Sequence, residues 1–196
     1  DSAQFIGGPQ VKQLEQELAD FVGRKHCITC ANGTDALQLA FMALGVGEGD
    51  AVFAPDMTFI SSTEPAAMFG AVSVFCDITP DTYTLDPASL ERQIKAVLAE
   101  GKHTPKAVVA VDILGNPCDY DAISALCEQY GLALIEDAAQ SFGCTDKEIL
   151  DELCAEGALE LCECLSTGAY DEDRGKLTTY LHPFLRGKMY RYLEAN

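Results

Sequence analysis

Asp137, Phe59 and the turn Asn32-Gly33-Thr34 are the residues whose types and positions could do chemistry. "ANGTDAL" places Asn32, Gly33 and Thr34 between a strand-like run and the start of a helix. Free backbone N–H groups and a hydroxyl there suit an anion such as a phosphate. The same residues also serve as helix caps, with Thr34 or Asn32 satisfying the first N–H groups. In "PDMTFISS", Phe59 could stack on a planar ring, or it is a core phenylalanine at a helix start. Asp137 ends the apolar run "LALIE". A carboxylate there keeps its charge only beside a cation, such as a protonated pyridinium nitrogen, or several donors. Otherwise it caps a helix or pins a loop. Gln140 could bond a ligand oxygen or the backbone.

Other chemistries find less support. Cys27-x-x-Cys30 could start a zinc site, but the only other close pair is Cys162 and Cys164. Four ligands at suitable spacing are missing, so no metal site is expected. His26, His103 and His182 are isolated. Neither a GxGxxG fingerprint nor a Walker P-loop is present.

The elements that must position these groups alternate. Helical spacing runs through Val11, Leu14, Leu18, Phe21 and Val22, between Pro9 and Gly23. Strands are expected at "KHCITC", "AVFAP", "AVSVFC", "AVVAV" and "LALIE". Helices are expected at "GTDALQLAFMALG", "FISSTEPAAMFG", "CDYDAISALCEQYG" and from Asp86–Pro87 to Gly101. Five strands alternating with helices, several apolar throughout, predict an α/β fold with a mostly parallel sheet covered on both faces. Ligands of such sheets bind at the carboxyl ends of the strands. The segments "CANGTD", "PDMTF", "DIT", "DILGNP" and "DAAQS" all fall there. From Cys144 the alternation stops, which divides the chain into residues 1–143 and a mainly helical tail, 144–196.

Composition bounds the partners. The formal charge is −18 over 196 residues, with 13 Lys and Arg against 31 Asp and Glu. Such a surface repels nucleic acid and anionic membranes, so neither is an expected partner. No stretch is long and apolar enough to span a bilayer. Nine cysteines, several of them in apolar runs (Cys27, Cys30, Cys76, Cys127), look like buried free thiols. With no signal-peptide pattern at the start, a cytoplasmic location is expected.

The motifs "NGTDAL", "MTF", "VDILG-P-D" and "EDAAQSFG", in this order between Phe5 and Gly143, resemble the DegT–StrS family of sugar aminotransferases. The resemblance implies an aspartate aminotransferase-like large domain, here incomplete, and pyridoxal 5'-phosphate as cofactor. It implies that Gly33, Thr34 and the Asp35 backbone hold the cofactor phosphate and that Phe59 stacks on the ring. Asp137 would pair with the ring nitrogen, and Gln140 would sit near the ring's hydroxyl side. It also implies a nucleotide-linked keto sugar as substrate, glutamate as amino donor, and a homodimer.

The family's Schiff-base lysine lies roughly thirty residues beyond the aspartate. Here that window reads "LSTGAYDED" and holds no lysine. Lys147 comes too early and Lys188 too late; Lys176 could substitute only from a rearranged tail. The expectation is a truncated, frameshifted or spliced relative with weak or absent transamination. The alternative is a non-catalytic α/β domain acting in binding or assembly.

Overall fold

The computed structural model describes residues 8–142. Four parallel strands form one sheet in the order β2-β1-β3-β4. They are β1 (Asp50–Pro55), β2 (Val72–Cys76), β3 (Thr104–Val111) and β4 (Ala133–Asp137). The helices are α1 (Pro9–Phe21), α2 (Gly33–Leu44), α3 (Glu64–Met68), α4 (Pro87–Glu100) and α5 (Tyr120–Tyr130). Short 3-10 turns occupy Ile60–Ser62 and Ile113–Gly115.

The central strands are apolar throughout because both faces are covered. Successive side chains point to opposite faces. Ala51 and Phe53 of β1, with Val108 and Ala110 of β3, pack against Leu90 and Ile94 of α4 and Ile123 and Cys127 of α5. Val52 and Ala54, with Ala107, Val109 and Val111, pack against Leu37 and Phe41 of α2 and Ala66 of α3. Sequence sets the helix bounds where chemistry is local. Asp86 caps α4 by accepting from Ala88 N and Ser89 N at 3.0 and 3.1 Å, and Pro87 follows in the first turn. Gly101 ends α4 at φ 68°, a conformation that disfavours side chains.

Several expectations need correction. Lys25–Cys30 is not a strand. No strand among the described residues pairs with it; instead Glu15 of α1 accepts from Thr29 N and Thr29 Oγ1 at 2.9 and 2.8 Å. With no sheet around it, Cys30 is exposed and Cys27 only half-buried, whereas Cys76, Cys118 and Cys127 are buried. The helix expected over "FISSTEPAAMFG" is a 3-10 turn followed by α3, which starts with Pro65 in its first turn. On α1 the apolar stripe is largely uncovered: Leu14 and Phe21 are exposed and Ala19 is the buried residue.

No helix among the described residues is long and apolar enough to cross a membrane. The expected division at residue 143, the helical tail and Lys176 lie outside the described residues.

Candidate active site

The carboxyl ends of β1, β3 and β4 and the N-terminus of α2 surround a cavity of about 330 Å³. Four segments line it: Gly33, Thr34 and Leu37 from α2; Thr58, Phe59 and Ser61 after β1; Val111 to Ile113; and Asp137, Ala139 and Gln140. A parallel sheet brings these together because every strand ends on the same edge.

At the α2 wall, Asn32 is the cap. Its Oδ1 accepts from Asp35 N at 2.9 Å and its Nδ2 donates to Asp35 Oδ2 at 3.1 Å. Thr34 is left out of capping and lines the cavity. The N–H groups of Gly33 and Thr34 have no protein acceptor among the described residues. A Cβ on Gly33 would meet nothing within 4 Å, so the backbone there is open to approach. The N–H of Asp35 is held by Asn32, and the residue does not line the cavity.

Phe59 is 71% exposed at this cavity, so it is not a core residue. The 3-10 turn that follows it buries Ser61 and Ser62 in its place.

Asp137 is half-buried at the end of β4, while its neighbour Glu136 is exposed. Its Oδ1 accepts from Ala139 N at 3.3 Å, and no cation pairs with it among the described residues. Burial raises its carboxyl above the ordinary value, and the negative charge of Asp112 adds to the rise; the Ala139 N–H partly offsets both. Gln140 also lines the cavity, with its Oε1 accepting from Leu114 N at 2.7 Å, which is the backbone option of the two foreseen.

Asp112 and Ser61 are among the lining residues that the sequence reading did not single out. Asp112 is 2% exposed and carries a dense set of hydrogen bonds. Its sequence signal was an acid directly after "AVVAV", in register one step past the Val111–Asp137 pair. Ser61 is 8% exposed and its hydroxyl has no partner among the described residues. Only its position beside Phe59 hinted at it.

The family model described as the DegT/DnrJ/EryC1/StrS aminotransferase family matches residues 1–168. The chain belongs to this family. The match starts before Phe5 and runs past Gly143, where the recognisable motifs stop. A UDP-2-acetamido-2-deoxy-3-oxo-D-glucuronate aminotransferase of Pseudomonas aeruginosa is 51% identical over 74% of this chain and 38% of its own length. The crystal structure of a family aminotransferase from Brucella abortus matches with a TM-score of 0.69 at 46% identity, over 70% of this chain and 37% of that one. NtdA from Bacillus subtilis, solved with bound cofactor PMP, matches with a TM-score of 0.64 at 31% identity, over 71% of this chain and 31% of that one. The chain thus spans less than half the length of these DegT-family relatives. The parallel sheet with helices on both faces is the one these aminotransferases share, and pyridoxal phosphate is the cofactor expected for the family.

Proposed function

We propose that the described residues form the cofactor-binding part of a pyridoxal-phosphate-dependent aminotransferase. Its substrate is a nucleotide-linked keto sugar, its amino donor is glutamate, and it works as a homodimer. The observation that carries this reading is Asp137. It is a half-buried carboxylate on a cavity wall, without a cation among the described residues, facing the same cavity as an open helix N-terminus. A desolvated anion of this kind suits a ligand that brings its own positive charge.

The residues present fit the cofactor. The free N–H groups of Gly33 and Thr34, with the Thr34 hydroxyl, hold the phosphate, and the open space over Gly33 admits it. The exposed ring of Phe59 covers the planar face. Asp137 would accept the ring N–H and keep that nitrogen protonated. Gln140, whose Oε1 is engaged by Leu114 N, would lie near the ring's hydroxyl side. When bound, the cofactor supplies the electron sink for amino-group transfer.

No lysine lines the cavity among the described residues. A second reading is a domain that holds the cofactor without turning over. Pyridoxal phosphate titration with visible absorbance, followed by borohydride reduction and peptide mapping, tests both. Saturable binding competed by inorganic phosphate and weakened by Asp137→Ala supports the cofactor site. A specific reduced adduct on Lys176 or Lys188 assigns catalysis to this chain. Absence of any saturable binding overturns the proposal.

A further inference from the structure

Asp112 is the one buried Asp, Glu, Lys or Arg among the described residues. A buried charge needs a cation or several donors. No cation pairs with Asp112 among the described residues. Three donors hold it instead. Oδ1 accepts from Cys118 N at 2.9 Å and from Tyr120 Oη at 2.8 Å. Oδ2 accepts from Ser141 Oγ at 2.5 Å. The first two donors lead into α5; the third lies in the turn after β4.

Asp112 also donates its own N–H to Asp137 O at 3.1 Å, which extends the β3–β4 ladder by one step. Leu114 N donates to Gln140 Oε1 nearby. The turn carrying Asp137, Ala139 and Gln140 is therefore tied to the end of β3 at three points. One tie uses the backbone of Asp112 and another its carboxylate. With both oxygens engaged, the carboxylate is a clamp.

We infer that Asp112 is a positioning residue for the cofactor site: it fixes the turn that carries the Asp137 carboxylate. This inference rests on the cofactor reading above. It separates the two ends of the ligand. The phosphate end depends on α2 and does not involve Asp112. The ring end depends on Asp137 and, through it, on Asp112.

The test uses the full chain and two probes, pyridoxal phosphate and inorganic phosphate. Asp112→Asn keeps the shape and removes the charge. It is expected to weaken pyridoxal phosphate binding by about tenfold, the scale of one charge-assisted hydrogen bond. It leaves the dissociation constant of inorganic phosphate within about twofold of wild type, since that end is held elsewhere. In an Asp137→Ala background, Asp112→Asn is expected to change pyridoxal phosphate binding by less than about twofold, because its route of action is gone. Ser141→Ala, which removes one donor and keeps the charge, gives a weaker version of the same pattern and serves should Asp112→Asn fail to fold. Equal losses for both probes, or the same tenfold loss in the Asp137→Ala background, overturn the positioning role and leave a purely structural one. An Asp137→Ala chain that binds pyridoxal phosphate like wild type overturns the cofactor assignment itself.

Discussion

Substitution of Asn32 separates two jobs that meet in one turn, capping α2 and binding an anion. Asn32 is extended at φ −164° and ψ 173°, as an N-cap is, with its side chain on Asp35 N at 2.9 Å. Removing such a cap costs about 1 kcal/mol. The Nδ2 contact to Asp35 is exposed and adds at most a few tenths of a kcal/mol. For a folded unit of this size, about 1 kcal/mol lowers Tm by roughly 3–5 °C. The variant leaves the N–H groups of Gly33 and Thr34 untouched. Asn32→Ala should therefore be less stable alone but lose no affinity for phosphate, and phosphate should raise its Tm by about as much as it raises that of wild type.

Asn32→Asp should lose affinity instead. Aspartate caps as well as asparagine, but its second oxygen replaces the Nδ2 that donates to Asp35 Oδ2 at 3.1 Å, so like-charge repulsion of about 1 kcal/mol offsets much of the cap. The added charge lies beside the anion site, and a unit charge about 4 Å away in water is worth about 1 kcal/mol, or roughly fivefold in affinity. The assay is thermal unfolding in a phosphate-free buffer, with and without inorganic phosphate, alongside direct titration. An Asn32→Ala chain with wild-type Tm and a tenfold loss of phosphate affinity refutes this account, because Asn32 would then be a ligand contact rather than a cap.

Three further outcomes follow from the same geometry. Asp137 holds its proton more tightly folded than unfolded, so the unliganded chain loses stability as pH rises from the ordinary value of 3.8 through the raised one. Asp137→Asn should be more stable than wild type near neutrality and equal to it below 3.8, by denaturant titration at both pH values; a lower stability at neutral pH contradicts this. Burial pushes Cys76 and Cys118 up to about 12 and Cys127 up to about 11, so iodoacetamide with peptide mapping should modify exposed Cys30 first and these three only after denaturation. Equal native rates for Cys30 and Cys76 would sink that expectation. Gly33→Val should fold, since a Cβ there meets nothing within 4 Å, yet fill the anion cradle and weaken phosphate at least about tenfold, the scale of one lost charge-assisted bond; unchanged phosphate affinity would remove Gly33 from the site.

How much of this was legible in the sequence depended on how local the deciding physics was. The bounds of α4 could be read because Asp86, Pro87 and Gly101 act within one turn. Strands β1 and β3 could be read because burial on both faces leaves no polar alternation. Lys25–Cys30 misled because its β-branched and thiol residues suit a strand, but pairing requires a neighbour that composition does not reveal. Glu15, fourteen residues before Thr29, took the N–H instead. Phe59 shows the same limit: hydrophobicity favours the core, while a 3-10 turn places two serines inside and the ring outside. Asp112 was one strand-end acid among several, because the donors that give it a role come from positions 118, 120 and 141.

A net charge of −18 argues against anionic partners, yet the proposed site would hold a phosphate. The conflict resolves on the scale of the cavity. Among the described lining residues no Lys or Arg appears, and what these residues offer an anion is the unpaired N–H groups and dipole of α2. The ends of β3 and β4 contribute the opposite sign through Asp112 and Asp137. A plain phosphate uses one wall and leaves the other without a partner, and a plain cation does the same in reverse. A ligand with a phosphate at one end and a protonated nitrogen at the other satisfies both walls at once. Selection therefore comes from the order of charge across the cavity, which the net charge of the chain does not describe.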